Sequence, residues 1–236
     1  MRTLNIGGVG YYTREMLEAL RRVSEVLEKE KLRRYAEAFL ENPDKHINKI
    51  TLNKLRSMLN RWCEEEKETL GHDYDYYCNK ALYDLEDRLT DLEYTVDETV
   101  RSNVSHEDLV ELGYIPREFY VRMRRLEELM EELEKARPIP GMEEEYEKKM
   151  ERLKEYRSEW TGMVSELSEI YNEYIIHLLN DLAESSGEEL RRLCEQKMKR
   201  RDVKSLVACE ALDVLESFCR EHPAPCGRFV MEYEES

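Results

Sequence analysis

Apolar residues recur at alternating intervals of three and four along most of this chain. The clearest run occupies Cys78, Leu82, Leu85, Leu89, Leu92 and Val96. A spacing that averages 3.5 residues is typical of helices that bury one narrow seam against a partner helix. The pattern therefore predicts an all-α protein, built as an elongated bundle of antiparallel, coiled-coil-like helical hairpins.

Breaks in this pattern predict where each helix begins and ends. We expect helices over residues 13–40, 47–70, 73–101, 116–136, 142–183, 187–201 and 203–220. A capping box at Ser105–Asp108 predicts one further short helix, which Gly113 closes. Residues 1–10 and Phe229–Tyr233 are expected to be irregular or short strands, so the prediction includes a short terminal β-ribbon.

The longest predicted helix, residues 142–183, has an apolar seam that only two polar residues interrupt. The seam comprises Tyr146, Lys149, Leu153, Tyr156, Trp160, Met163, Leu167, Ile170, Tyr174 and His177. Its 42 residues would extend over roughly 63 Å, and residues 116–136 cover only about half of that length. The uncovered half must pack either on other helices of the chain or on a second subunit. We expect a second subunit, and so a homo-oligomer.

Three regions follow from these elements, although they are expected to form one continuous structural unit. Residues 1–113 form an N-terminal helical hairpin region, and residues 114–186 form a long coiled-coil hairpin. Residues 187–236 form a C-terminal hairpin with a tail.

The six cysteines support the hairpin arrangement. Cys63 and Cys78 are centred on the predicted turn at Leu70–Gly71, and Cys194 and Cys209 on the predicted turn at Arg201–Asp202. Residues equidistant from a hairpin turn lie opposite each other, so each pair is placed to form a disulfide between two helices. A third bridge, Cys219–Cys226, would then close the tail. Reduced, buried cysteines are the alternative.

Composition bears on where such bridges could persist. The chain has a single glutamine against 42 glutamates, and depletion of glutamine with enrichment of ionisable residues is typical of hyperthermophile proteins. Intracellular disulfides are common in such organisms. We therefore expect a hyperthermophilic source, cellular or viral; a mesophilic coiled-coil segment is the alternative.

Charge and hydropathy limit the classes of partner. The net charge is −16, so most of the surface should repel nucleic acids and anionic membranes. No apolar run approaches the ~18 residues that span a bilayer, and the N-terminus lacks the apolar core of a signal peptide. We expect a cytoplasmic protein, or one of the host cytoplasm or virion if the source is viral.

Candidate metal and catalytic patterns are weak. Cys219, His222 and Cys226 have ligand spacing but lack a fourth ligand. His72-Asp73 resembles the metal-binding pair of HD-type phosphohydrolases, yet it lies in a polar stretch that is typical of a loop. Glu169, Glu173, His177 and Asp181 form one helical stripe without the Glu-x-x-His pair of di-iron bundles. We therefore predict no catalytic, metal or cofactor site.

One dense basic cluster stands out in this acidic chain. It comprises Arg191, Arg192, Lys197, Lys199, Arg200, Arg201 and Lys204. These residues could contact phosphates or an acidic partner, but no aromatic residues for base stacking lie among them. The sequence favours a non-enzymatic structural or interaction protein. The alternatives are a nucleic-acid-associated regulator that uses this cluster, and an acidic decoy that binds a basic, DNA-handling protein.

Overall fold

The computed structural model describes the backbone of residues 3–5, 11–13, 30–70, 74–196 and 202–234, with side chains over 33–64, 78–196 and 202–231. The protein is all-α, as predicted. In chain order the described helices are α1 (Glu30–Glu41), α2 (Pro43–Ile47), α3 (Leu52–Leu70), α4 (Tyr74–Asn103), α5 (His106–Glu111), α6 (Arg117–Glu134), α7 (Glu143–Glu184), α8 (Gly187–Gln196), α9 (Val203–Glu221) and α10 (Pro223–Glu234).

A two-stranded antiparallel ribbon lies at the N-terminus. Strand β1 (Thr3–Asn5) pairs with β2 (Tyr11–Thr13), and Leu4 lies opposite Tyr12. The predicted terminal ribbon is therefore at this end of the chain. The prediction of a strand at Phe229–Tyr233 is wrong, because these residues belong to helix α10.

Helix ends follow local capping chemistry. At the start of α5, Ser105 and Asp108 form the predicted capping box, and Gly113 follows the helix with a φ of 81°. Glycine adopts this left-handed conformation at a lower free-energy cost than other residues, because it has no Cβ atom. Asp202 caps α9, since its side chain accepts a hydrogen bond from the Lys204 amide. Asn42 caps α2 in the same way through Lys45.

The predicted helix over residues 47–70 begins too early. Ile47 ends the short helix α2, and the next long helix begins at Leu52. Thr51 supplies the missing start signal, because its hydroxyl oxygen accepts a hydrogen bond from the Lys54 amide. Serine, threonine, asparagine and aspartate before the first turn stabilise a helix by about 1 kcal/mol relative to alanine.

The chain divides into two compact units. The first comprises residues 1–99 and 178–236, and the second comprises residues 100–177. The predicted boundary at residue 114 falls inside the second unit, and the one at residue 187 inside the first.

Close helix contacts build the first unit. The Gly227 backbone on α10 lies so near the Tyr35 carbonyl of α1 that a Cβ atom there would overlap it. Gly187 contacts the carbonyl oxygen of Ile47 in the same manner, and its amide donates a hydrogen bond to the Ile50 carbonyl at 3.0 Å. The largest fully buried side chains of this unit are Phe39, Ile47, Ile50, Leu52, Leu55, Leu59, Leu85 and Phe218.

The second unit contains the long hairpin of α6 and the first 35 residues of α7. Two ion pairs cross between these helices, Arg122 with Glu159 and Arg157 with Glu134. Both pairs lie beside the buried seam residues of the two helices, which are Met123, Leu126, Leu153, Met163 and Leu167.

The seam of α7 departs from the predicted one near its end. Tyr171 and Ile175 are buried, whereas His177 is exposed, so the prediction that His177 lies on the seam is wrong. The Tyr171 hydroxyl donates a hydrogen bond to the Val104 carbonyl at 2.8 Å. A straight helix drifts by about 20° per heptad from a strict 3.5-residue repeat, which moves the buried face past His177.

Several predictions fall outside the described residues. These are residues 14–29 of the helix predicted over 13–40, Gly71 of the predicted turn, the pair His72-Asp73, and the end of the helix predicted to reach residue 201. The predicted start of the first helix at Thr13 is wrong, because Thr13 belongs to strand β2. Among the described helices, none combines the length and the apolar character needed to cross a lipid bilayer.

Candidate functional site

The six cysteines lie in three pairs at disulfide distance, in the pairing that the sequence predicts. Cys63–Cys78 joins α3 to α4, with the Cα atoms 5.5 Å apart. Cys194–Cys209 joins α8 to α9, with the Cα atoms 4.8 Å apart. Cys219–Cys226 joins α9 to α10 over a separation of seven residues. Each bridge therefore connects two helices that are consecutive along the chain.

A polar network lies between α4 and the end of α9, next to the Cys219–Cys226 bridge. The Arg88 guanidinium donates hydrogen bonds to Asp84 at 3.0 Å and to Ser217 at 2.5 Å, and it forms an ion pair with Glu221 at 2.8 Å. His222 Nε2 lies 2.9 Å from Asp84 Oδ2. Because an ionised carboxylate can only accept, Nε2 carries the proton in this bond.

Burial determines the protonation state of His222. Loss of solvent lowers the pKa of the imidazole below its ordinary value, and the hydrogen bond and charge of Asp84 offset only part of this effect. The imidazole also packs against the Phe218 ring, with the ring centroids 4.8 Å apart. His222 is therefore held mainly neutral near pH 7, as a donor that links α9 to α4.

The network contains ligand-type atoms but already includes a cation of its own. Within the described part of the chain, Asp84, Glu221 and His222 are the one group of three such residues whose ligand atoms lie within 4.8 Å of one another. Arg88 already supplies the positive charge between the two carboxylates. The sulfurs of Cys219 and Cys226 are bonded to each other, so the predicted ligand spacing around His222 does not gather thiolates. The geometry favours a clamp between helices.

The depressed pKa of His222 predicts acid sensitivity. In the unfolded chain the imidazole binds a proton near pH 6.5, whereas in the folded protein it resists protonation. The stability of the fold should therefore decline as the pH falls from about 6.5 toward the folded-state pKa. We expect His222→Gln to flatten the decline between pH 6.5 and 5, as measured by urea unfolding at each pH. An equally steep decline in this variant would contradict the assignment.

A second buried network includes one member of the basic cluster. Arg191 on α8 forms an ion pair with Glu216 at 2.9 Å and also donates to the Asn48 side chain. Glu216, itself buried, pairs again with Arg220 at 2.9 Å. The nearby Asp44 carboxyl has its pKa raised by burial, and Arg191 opposes this shift. Arg191 is therefore a structural residue that connects α8, α9 and the α2 region.

The other members of the basic cluster differ in their surroundings. Lys204 forms an ion pair with Asp181 at 2.8 Å, whereas Arg192 is exposed. Lys197, Lys199, Arg200 and Arg201 lie outside the described residues. Two of the seven candidate contacts are thus engaged within the protein.

The helical stripe of Glu169, Glu173, His177 and Asp181 does not converge on a common point. His177 Nδ1 lies 2.9 Å from the Tyr114 hydroxyl, and Asp181 is paired with Lys204. Glu169 and Glu173 are exposed. His46, upstream of the His72-Asp73 pair, is buried, and its ring centroid lies 6.4 Å from that of Phe39.

Comparison of the chain with protein-family models, with curated proteins and with solved structures gives no match. The fold and its networks define an all-α protein in which three pairs of consecutive helices are joined by disulfides.

Proposed function

We propose that this protein is a non-enzymatic interaction scaffold that associates with a second copy of itself through the α6–α7 hairpin. One observation carries the proposal: a single chain leaves much of the apolar seam of this hairpin partly open to solvent. The half-buried seam side chains are Phe119, Met130, Leu133, Tyr146, Tyr156, Trp160 and Ile170.

Two helices cannot enclose a wide apolar surface between them, whereas three or four can. Val164 extends the seam on α7, one turn after Trp160, and 43% of its surface is exposed. Burial of apolar surface contributes roughly 25 cal/mol per Å², so a second hairpin packed on this stripe would be stabilised. Aromatic residues are also enriched where proteins bind each other.

The ionisable networks support a structural reading over an enzymatic one. The Arg88 and Arg191 networks pair their charges internally, and each connects helices. The hollow at the hairpin tip, lined in part by Ile139, Met142 and Tyr146, has a volume of about 30 Å³. That volume admits only a few water molecules. The three bridges are in keeping with the proposed hyperthermophilic, cellular or viral source, whose cytoplasm tolerates disulfides.

A charged side chain at Val164, on the exposed edge of the seam, tests the proposal. Val164→Glu should shift the protein toward monomer in sedimentation velocity at tens of micromolar, because the new carboxylate would be desolvated in the interface. Ser165→Glu, a neighbouring exposed position, adds the same charge and is the matched control. A self-association constant that falls at least tenfold for Val164→Glu alone is the expected result.

A wild-type protein that sediments only as monomer would contradict the proposal. Tryptophan fluorescence provides a second test of self-association that does not depend on sedimentation. In a Trp62→Phe background Trp160 is the remaining tryptophan, and its emission should shift to shorter wavelength as the concentration rises. Emission that does not change with concentration would place Trp160 outside the interface.

The nucleic-acid alternative depends on Arg192 and on the basic residues between 197 and 201. It predicts DNA or RNA binding that weakens steeply with salt and is lost on Arg200→Glu/Arg201→Glu. Binding of this kind by a monomeric protein would favour that alternative. The acidic-decoy alternative predicts affinity for a basic protein without any affinity for nucleic acid.

A further inference from the structure

The outward side of α4 carries a distinct set of residues, Tyr83, Asp87, Asp91, Tyr94 and Glu98, which we name the acidic tyrosine face. At 3.6 residues per turn these five positions lie within an arc of about 80°. The buried side chains of the same helix, such as Leu85, Leu92 and Val96, lie on the opposite side. The face therefore points away from the core of the first unit.

Both tyrosines are unusually open to solvent. Tyr83 is 79% exposed and Tyr94 is 70% exposed, more than any other large apolar side chain in the described part of the chain. They are 11 residues apart, which is about three turns or 16 Å along the helix. Tyrosine supplies large contact area at low cost in conformational entropy, which is why it is common in binding surfaces.

The carboxylates of this face are not neutralised by any described side chain. Among the described residues, Asp87, Asp91 and Glu98 form no ion pair. Arg88 is the one cation between residues 81 and 99, and it is directed inward to Asp84 and Glu221. Like charges four residues apart, as in Asp87 and Asp91, destabilise a helix by about 0.2–0.5 kcal/mol. A cationic partner would remove that cost.

We propose that the acidic tyrosine face binds the basic segment Lys197–Arg201 of a second copy of the chain. This segment, Lys-Met-Lys-Arg-Arg, has four positive charges in five residues and is the most basic stretch of a protein whose net charge is −16. Two copies would otherwise repel each other. Opposite charges brought within a Debye length of about 8 Å reverse this repulsion locally.

The residue types of the acidic tyrosine face and of the basic segment are complementary, in addition to their charges. Guanidinium groups stack on tyrosine rings, which contributes about 0.5–1 kcal/mol at an exposed site, and they pair with carboxylates in two-pronged hydrogen bonds. Each chain carries both the face and the basic segment, so a symmetric pair of copies would make the contact twice. The inference rests on the proposed scaffold function for its choice of partner, but it concerns a surface separate from the hairpin seam.

Reversal of charge on the face tests the contact. Asp87→Lys/Asp91→Lys should weaken self-association at least tenfold at 50 mM NaCl, as measured by sedimentation equilibrium. Glu128→Lys/Glu132→Lys changes the net charge equally, at two exposed positions four residues apart on α6, and should not weaken it. The difference between the two variants should diminish at 500 mM NaCl. Far-UV circular dichroism checks that both remain folded.

A reciprocal variant distinguishes the proposed occupant from others. Lys199→Glu/Arg200→Glu should weaken self-association alone, but it should bind the Asp87→Lys/Asp91→Lys protein when the two are mixed. No rescue on mixing would overturn the assignment of the basic segment. Equal association of the face variant and the control would overturn the site itself, even if Val164→Glu still dissociates the hairpin contact. Binding of poly-lysine to the face, without self-association, would show that the partner is another protein.

Discussion

Gly227→Ala is expected to destabilise the protein by about 3 kcal/mol, the upper end of what overpacking usually costs. The new Cβ atom would overlap the Tyr35 carbonyl group, so the obstruction is backbone and cannot move aside as a flexible side chain would. Helices α1 and α10 would have to separate. The free energy of unfolding in urea measures the loss.

Gly162→Ala is the matched control on helix α7. A Cβ atom at Gly162 has nothing within 4 Å, so the substitution meets no obstruction. Alanine inside a helix is more stable than glycine by about 0.5–1 kcal/mol, so this variant should gain stability. Equal stability of Gly227→Ala and wild type would mean that α1 and α10 pack less closely than the contact between Gly227 and Tyr35 requires.

Removal of the Cys194–Cys209 bridge by Cys194→Ser/Cys209→Ser is expected to cost about 3 kcal/mol. The bridge closes a loop with a sequence separation of 15 residues, and the estimate follows from the entropy that such a loop removes from the unfolded chain. For a chain of this length the unfolding midpoint should fall by roughly 6–12 °C, as measured by calorimetry.

The Cys219–Cys226 bridge closes a shorter loop, of seven residues, and its removal should cost less, about 2 kcal/mol in the same treatment. Peptide mapping of the unreduced protein tests the pairing directly. Fragments linked 63–78, 194–209 and 219–226 are expected. Free thiols throughout would show that the bridges do not form, and any other linkage would mean that the helical turns are misplaced.

The positions of the hairpins could be predicted from the sequence because two independent signals, the turn residues and the spacing of the cysteines, locate the same turns. Helix α3 ends at Leu70 and α4 begins at Tyr74, which brackets the midpoint between Cys63 and Cys78. The long helix α7 was also predictable to within one residue at each end, because Pro138 and Pro140 cannot continue a helix and 42 residues of regular pattern follow.

Local signals failed where tertiary packing decides the structure. Phe229–Tyr233 has the composition of a strand, but Pro223 opens a helix there at the position where proline is tolerated. As a helix, this segment packs closely against α1 at Gly227, and a strand would not make that contact. The capping residue Ser186 was a readable signal that the prediction lacked: its amide donates to Glu189, whose own amide donates back to the Ser186 hydroxyl.

The polar network around Arg88 could not be predicted from the sequence. Its members on α4 and α9 are separated by about 130 residues, and no local pattern relates Asp84 to His222. Only the packing of the two helices brings them together. The ligand spacing around His222 correctly singled out that residue, but it suggested a metal ligand. His222 instead donates a hydrogen bond to Asp84, and the neighbouring cysteines form a disulfide.

The order of the bridges has a consequence for biosynthesis. Six cysteines allow 15 sets of three bridges, and this chain uses the set in which each cysteine pairs with its next neighbour. No bridge encloses or crosses another, so each can close as soon as its own helical hairpin has left the ribosome. Pairing in chain order requires no exchange of one bridge for another, a reaction that takes seconds to hours. We therefore expect the chain to mature from its N-terminus onward without a disulfide isomerase.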